Sequence, residues 1–267
     1  MVKILKEKCI GCGQCINECF PKNIVLYNGK ASIKDSCMEC GHCYAVCPVG
    51  AVQMDGVTLD GVYDFSECKK PIIDSNELLN YIKARRSIRQ YKEQAIPKDI
   101  LERILEAGRF TPTGCNAQDV SYIVVQKHLK EVKESFWKGF PEGMLHAEKK
   151  YGINSRLMGT LRRLYDEYQE NPNNDGLFFK APVLLIIHSP STFHAGLAAS
   201  NIELMACAEG LGVLYSGFIR IFLSSNKELC KQLNIEPEKI CACMLIGYPD
   251  VQFRRTAPKN LANIQWL

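Results

Sequence analysis

Hydrophobic and polar positions alternate along this chain in a way that predicts a small β-prone segment followed by a longer mixed one. Ile24 to Tyr27 and Ala51 to Met54 are short β-prone runs, each placed after a dense group of cysteines. From Asp74 the pattern becomes helical: an acceptor at Asp74 with an acid at Glu77 marks a capped start, and Leu78, Leu79 and Ile82 follow at helical spacing. Pro97 opens a second helix at the favoured first position, with Ile100, Leu101, Ile104 and Leu105 on one face as far as Gly108. A loop, Thr111 to Gln118, leads to a buried strand over Tyr122 to Gln126. The stretch from Glu131 to Asn173 reads as a charged helical excursion broken by Gly139, Pro141, Gly143 and Gly152. Val183 to His188 is too short and too apolar for a helix and reads as a second strand. An Ala-rich amphipathic helix is expected over His194 to Gly210, then a loop or helix start at Tyr215 to Phe218, a short helix at Lys227 to Leu233, and a third strand at Ile240 to Ile246. Gly247-Tyr248-Pro249 ends that strand, and the tail passes through Arg254 and Arg255 to Leu267.

The cysteines change this picture most. Fourteen occur in 267 residues, and eight of them fall into two copies of C-x2-C-x2-C-x3-C: Cys9, Cys12, Cys15, Cys19 and Cys37, Cys40, Cys43, Cys47. The offset of about 28 residues is an internal repeat, too short for a solenoid. Structural zinc favours paired knuckles with four ligands per ion, and disulfides favour a small secreted domain; three evenly spaced cysteines plus a fourth, starting nine residues into the chain with no leader, fit neither. Three cysteines at this spacing can wrap one corner of an iron–sulfur cubane.

With Pro48 directly after Cys47, and Phe20 placed between Cys19 and Pro21, this stretch resembles the bacterial-type two-cluster 4Fe-4S ferredoxins over about its first sixty residues. The resemblance implies crossed ligation, in which Cys9, Cys12, Cys15 and Cys47 hold one cluster and Cys37, Cys40, Cys43 and Cys19 hold the other. The remaining cysteines read differently. Cys68 lies alone in a Gly-punctuated connector, and Cys115, Cys207, Cys230, Cys241 and Cys243 read as small packed residues. His188 and His194 read as cap or core residues.

Length suits a small module joined to a larger one, and the division expected is a two-cluster domain over 1–60, a linker over 61–74 and a second domain over 75–267. Up to and including residue 70 eight Lys face eight Asp+Glu, which leaves 25 Lys+Arg against 21 acids in the rest and puts the formal +4 there. That excess is too small to suggest nucleic acid but suits a phosphorylated cofactor. No run approaches the roughly twenty apolar residues of a membrane span. Reduced thiols and oxygen-sensitive clusters point to a reducing cytoplasm.

Arg85, Arg86, Ser87 and Arg89 at the end of a predicted helix are ambiguous by themselves, since a helix C-terminus favours cations in any case. Guanidinium forks do match phosphate bidentately. Taken with Pro112-Thr113-Gly114-Cys115-Asn116-Ala117-Gln118, Gly210-Leu211-Gly212, Ser216-Gly217-Phe218, and Gly247-Tyr248-Pro249 before Arg254-Arg255, they resemble the FMN-dependent nitroreductase family in motif order over roughly residues 75 to 260. The resemblance implies an α+β fold with a central, mostly antiparallel sheet. It also implies that Arg85, Arg86, Ser87 and Arg89, with Arg254 or Arg255, hold the phosphate and ribityl chain of FMN. Thr113, Asn116 and Gln118 would line the flavin, and Ser216, Gly217 and Phe218 would approach its ring edge. It further implies a homodimer with FMN at the interface. Asp119-Val120 departs from the family, which has Pro-Trp there. Phe136, Trp137, Phe140 and Tyr151 read either as a lid over the flavin or as packing.

Joined, the two resemblances imply an iron–sulfur flavoprotein oxidoreductase. Clusters pass one electron at a time, and FMN converts single electrons into two-electron reduction of a nitroaromatic, quinone or similar small-molecule acceptor. The external donor would be a ferredoxin or NAD(P)H, and no side chain need act as acid or base. Two other readings stand beside this one: NAD(P)H reducing FMN with electrons leaving through the clusters, and a non-catalytic electron-transfer subunit.

Overall fold

In a computed structural model the structure describes residues 1–35, 37–65, 71–151 and 155–267, with the side chains of 150, 151, 155 and 156 excepted. Cys68 and Gly152 therefore lie outside the described residues, as does the Tyr151 side chain. Contacts divide the chain into two compact units, Met1–Ile72 with Thr113–Ala117, and Ile73–Pro112 with Gln118–Leu267.

The first unit repeats one motif twice. Strand β1 (Val2–Ile4) pairs antiparallel with β4 (Val52–Met54), and β2 (Ile24–Tyr27) pairs with β3 (Lys30–Ile33). Between them lie two five-residue helices, α1 (Gln14–Glu18) and α2 (His42–Val46). Their flanks match almost to the degree: Gly13 has φ 75 and ψ −4 and Gly41 has φ 76 and ψ −5 before the helices, while Cys19 and Cys47 close them in extended backbone. Glycine is required at both N-caps because a left-handed residue with a Cβ is strained. The core between strands and helices is made of Val2, Ile24, Ala31, Ala51 and Val52 together with Cys9, Cys15 and Cys43. The sequence pattern predicts β2 and β4 but not β1 and β3, which carry Lys3 and Lys30 and are fixed by pairing with the other two.

The second unit is built on a four-stranded sheet in the order β5 (Ser121–Val125), β6 (Val183–His188), β8 (Ile240–Gly247), β7 (Gly212–Tyr215), all pairs antiparallel. Helices α3 (Ser75–Ala84), α4 (Lys98–Arg109), α5 (Leu129–Lys138), α6 (Phe140–Tyr151), α7 (Ser155–Glu170), α8 (Thr192–Ala208), α9 (Gly217–Ser225) and α10 (Lys227–Gln232) complete it. The central strands alternate between two cores. Val183, Leu185, Ile187, Met244 and Ile246 face one with α4 and α8, and Leu184, Ile186, Cys243 and Leu245 face the other with α5, α6 and α9. Buried on both sides, β6 reads as a continuous apolar run, as two-faced burial requires.

Four expectations change. Helix α8 starts at Thr192, capped by Ser191, and its apolar residues lie around most of its circumference; Ala195, Ala198, Ala199, Ile202, Glu203 and Ala206 are all buried. Those buried positions form one face, packed on α4 and the sheet, while Phe193 stays 71% exposed and further apolar residues lie half-buried round the other side, so the helix is less sharply amphipathic than expected. The Gly212–Tyr215 strand was hidden by Gly210 and by its own first residue, Gly212, which read as helix stops. The aromatic excursion is not a lid: Phe136, Trp137 and Phe140 are at most 1 % exposed. Phe140 stacks on Phe222 at 4.2 Å, and Trp137 on Tyr168 at 4.6 Å. Pro97 sits at the N-cap of α4, one place before the expected first turn.

Candidate functional site

In the first unit the eight repeated cysteines border two cavities. One is lined by Cys9, Cys12, Cys15 and Cys47 with Ile4, Ile10 and Val52, the other by Cys19, Cys37, Cys40 and Cys43 with Val2, Ile24 and Ile33. Each cavity takes three cysteines from one run and the fourth from the other. The two helices bring this about, since the third and fourth cysteines of each run lie at opposite ends of one helical turn and a half. Backbone amides already point at four of the sulfurs: Ala31 to Cys9, Asn23 to Cys19 and Glu39 to Cys37 at 3.3 Å, and Ala51 to Cys47 at 3.2 Å. Such N–H···S bonds are one of the protein's means of setting a cluster's potential. Hydrogen bonds from the Ala31 and Gly11 amides hold the Cys9 thiol below its ordinary value, whereas burial and neighbouring thiols push Cys15 and Cys43 up. Mutually repelling buried thiolates are what bound iron relieves. Among the described residues no three His, Cys, Asp or Glu side chains gather closely enough to share a single ion. A cubane does not ask for that, because each thiolate binds its own iron. The donors and apolar walls fit two 4Fe-4S clusters.

Thr113–Ala117 belongs to this same unit. Thr113 precedes a 3-10 turn over Gly114–Asn116, and Cys115 and Asn116 inside it have φ 52 and 55. Gln118, the next predicted site residue but in the second unit, has φ 47. Three non-glycine residues in the left-handed region within four positions is strain of the kind that clusters at ligand sites. The Asn116 side-chain amide donates to the Glu39 carbonyl at 2.9 Å, between Cys37 and Cys40 in sequence. Cys115 is exposed rather than packed, which corrects the sequence reading.

In the second unit, Arg85 caps the C-terminal end of α3, and the chain then runs extended along the sheet. Ser87 bridges to Val213 in parallel, the Ile88 amide donates to the Val213 carbonyl at 3.0 Å, and Ile88 packs so tightly on Gly212 that a Cβ there would lie 2.3 Å away. Tyr91 bridges Pro249, and the Asp250 amide donates to the Gln90 carbonyl at 2.8 Å. The arginine segment and the Gly247-Tyr248-Pro249 turn, separated by about 160 residues in sequence, are thereby brought together. Arg89, Arg254 and Arg255 are exposed, and Arg86 is half-buried. Ser216 caps α9, its hydroxyl accepting from the Ile219 amide at 3.3 Å; Phe218 packs against the core. A Cβ on Gly217 would meet nothing within 4 Å, so the backbone at this helix start stands open to a ligand.

Sequence reasoning missed two partners. Arg85 donates through Nη1 to Glu203 Oε1 at 2.6 Å, and Glu203 is buried on α8. Burial pushes the Glu203 carboxyl up, and Arg85 and the neighbouring Tyr215 pull it back. Asp119, where the chain departs from the family, pairs with His194 at 2.8 Å across the β5 and α8 starts, so His194 has a partner that its sequence neighbours do not reveal. Burial and the nearby Lys239 push His188 down. Burial pushes the Cys207, Cys230, Cys241 and Cys243 thiols up, Cys230 to about 11 and Cys243 to about 12, as packed cysteines behave.

The second unit is a mixed α+β domain with a basic segment pinned to its sheet edge, and the first is a two-cavity cysteine unit of the iron–sulfur class. Residues 82–248 match the Nitroreductase family, and residues 1–48 match the 4Fe-4S dicluster domain. The chain belongs to the nitroreductase family of FMN-dependent oxidoreductases and carries a 4Fe-4S dicluster domain ahead of it. A Methanothermobacter thermautotrophicus protein provisionally described as an NADH dehydrogenase/NAD(P)H nitroreductase is 23% identical over 179 residues, 66% of this chain and 80% of its own. The FMN-bound nitroreductase of Bacteroides fragilis superposes with a TM-score of 0.56 at 22% identity, covering 72% of this chain and all of the other. An FMN-dependent nitroreductase of Clostridium difficile does so with 0.53 at 21%, covering 73% of this chain and all of its own. At these identities the two structures speak for the fold. Among the described residues no helix is long and apolar enough to cross a membrane.

Proposed function

We propose that this chain relays single electrons from an external donor through two 4Fe-4S clusters to FMN, for two-electron reduction of a nitroaromatic, quinone or similar electrophilic acceptor. The observation that carries the reading is the Asn116 to Glu39 hydrogen bond: a residue assigned to the flavin loop is fastened to the backbone between two proposed ligands of one cluster. When bound, FMN supplies the exchange between one-electron and two-electron steps that clusters alone lack.

The chain's own residues have separate tasks. Cys9, Cys12, Cys15 and Cys47 hold one cluster and Cys37, Cys40, Cys43 and Cys19 the other, which makes each run depend on its partner to fold. Arg85, Arg86, Ser87 and Arg89, with Arg254 or Arg255, bind the phosphate and ribityl chain; Thr113, Asn116 and Gln118 line the flavin; and Ser216, Gly217 and Phe218 meet its edge. No side chain is assigned as an acid or base. The domains follow the division 1–60, 61–74 and 75–267, in a cytoplasmic protein.

A homodimer with FMN at the interface completes the reading. Helix α3 buries none of its residues, yet carries Leu78, Leu79 and Ile82 at 40–48% exposure, and Leu261, Ile264, Trp266 and Leu267 in the tail are also exposed. A second copy is the partner the family resemblance implies for such surface.

The test is anaerobic stopped-flow spectroscopy of wild type and Cys40→Ser mixed with reduced ferredoxin. Flavin bleaching in wild type that is at least tenfold slower in the variant is expected. Equal rates sink the relay, and rapid bleaching by NADH or NADPH with electrons appearing in the clusters afterwards reverses the direction of flow.

A further inference from the structure

We propose that Glu203 is a positioning residue that holds the Arg85 guanidinium ready for the phosphate of FMN and thereby sets the discrimination between FMN and riboflavin. The inference rests on the FMN reading above and adds to it a residue that touches no ligand.

Arg85 stands at the C-terminal end of α3, where unsatisfied helix carbonyls repel an anion rather than attract one. Any phosphate bound there depends on the guanidinium itself. That side chain carries five N–H donors in a fixed planar fork, and Glu203 engages one nitrogen, Nη1, at 2.6 Å. The side chain remains 31% exposed. Glu203 therefore occupies one corner of the fork and leaves donors over for a ligand.

Two features let the carboxylate orient Arg85 without cancelling it. Glu203 is itself buried, on the packed face of α8, so its carboxylate is a fixed point for the guanidinium. Its charge is also eased by Tyr215, which lies beside it and favours the carboxylate. Tyr215 directly precedes Ser216 and Gly217, so Glu203 stands between the arginine segment and the residue that leads into α9. A second tie keeps the helix ends in register: the Tyr81 hydroxyl of α3 donates to the Leu204 carbonyl of α8 at 2.9 Å. Without Glu203 the long arginine side chain regains its rotamers, and each must be frozen again when the phosphate arrives. Riboflavin lacks the phosphate and is indifferent to that ordering.

The experiment is equilibrium binding of FMN and riboflavin to the full chain, followed by flavin fluorescence, for wild type, Glu203→Gln and Glu203→Leu, with thermal unfolding recorded in parallel. Wild type should prefer FMN. Glu203→Leu should lose at least tenfold of that preference while its riboflavin affinity stays within about threefold, whereas Glu203→Gln, which keeps an acceptor for Nη1, should retain the preference. A preference unchanged or increased in Glu203→Leu overturns the role of Glu203 and leaves the FMN reading standing. Should Glu203→Leu fail to fold, Glu203→Gln combined with Arg85→Lys decides: a preference as strong as wild type overturns the proposal, because a lysine cannot offer a fork to two partners. Wild type that does not prefer FMN to riboflavin overturns the FMN reading and the proposal together.

Discussion

Asn116 reaches the Glu39 carbonyl at 2.9 Å from a backbone held at φ 55, so one side chain both tolerates a left-handed turn and ties it to a cysteine run. Asn is among the few residues that accept this conformation readily. Replacing it by Ala removes a hydrogen bond worth about 1 kcal/mol and adds left-handed strain of about 1 kcal/mol. Hydrogen exchange at residues 113–117 of Asn116→Ala should accelerate by roughly thirtyfold, as about 2 kcal/mol implies. Ferredoxin-driven flavin bleaching should slow, with cluster absorption unchanged. Bleaching at the wild-type rate would remove the contact from the transfer route.

The two cavities make a separate prediction about ligand sets. Cys47 borders the cavity of Cys9, Cys12 and Cys15, and Cys19 that of Cys37, Cys40 and Cys43. Cys47→Ser should therefore alter the same paramagnetic signal as Cys12→Ser, and Cys19→Ser the same one as Cys40→Ser. Each should lower iron content by up to about half if the affected cluster is lost. A Cys47→Ser spectrum matching that of Cys40→Ser would show that each run serves its own cluster.

Gly11 lies in the first cysteine run at φ 69, and a Cβ there would sit 2.3 Å from the Gly29 carbonyl oxygen in the β2–β3 turn. Both the left-handed backbone and the clash oppose any side chain. Gly11→Ala should destabilise the first unit by about 2–4 kcal/mol. Gly50→Ala, also at positive φ (58) but with open space around it, should cost about 1 kcal/mol. Comparing iron retention on mild heating of the two variants separates the clash from the strain.

How much of this could be read from the residues follows from how local each feature is. The cysteine repeat is legible because ligand spacing is a sequence property, and β6 and β8 are legible because burial on both faces leaves an unbroken apolar run. Strand β7 was not, since four residues that begin on a glycine carry no period and are fixed by pairing with β8. Arg85 could be picked out by its neighbours, but Glu203 could not: an acid inside an Ala-rich helix reads as a solvent-facing residue until the fold brings Arg85 and Tyr215 to it. Asp119 and His194, 75 residues apart, were hidden for the same reason. Phe136, Trp137 and Phe140 could not be assigned to lid or core from spacing alone, because both uses leave the same helical pattern.

Thiol reactivity should separate the cysteines cleanly. Burial pushes Cys230 to about 11, and its thiol donates to the Leu223 carbonyl at 3.2 Å, whereas Cys115 is exposed. At pH 8 about one Cys230 in a thousand is thiolate, the reactive form. Brief iodoacetamide treatment of the cluster-loaded protein should label Cys115 and spare Cys230, as peptide mapping can show. The linked stability has a definite sign. A thiol whose folded value lies above its unfolded value of 9.0 withdraws stability as pH rises past that value and contributes no pH dependence well below it. Unfolding temperatures should thus fall between pH 8.5 and 10.5, and less steeply in Cys230→Ala once its lower starting stability is allowed for.

Helix α3 provides the test of assembly. Its start is capped by Asp74, which accepts from the Asn76 and Glu77 amides at 2.9 Å, and Tyr81 and Arg85 tie it to α8 by polar contacts, while Leu79 and Ile82 stand 48% and 45% exposed. Charges placed there leave the monomer's core untouched. Each substitution removes the burial of an aliphatic side chain, about 1–2 kcal/mol if a second copy covers it. The double change Leu79→Glu with Ile82→Glu should then weaken the dimer by roughly a hundredfold or more. Light scattering after size exclusion should show wild type as a dimer and the variant as a monomer at micromolar concentration, with unfolding temperature little changed. Because the proposed flavin site needs both copies, FMN should dissociate from the variant on dilution while iron stays bound. A variant that remains dimeric and retains FMN would place the interface elsewhere on the chain.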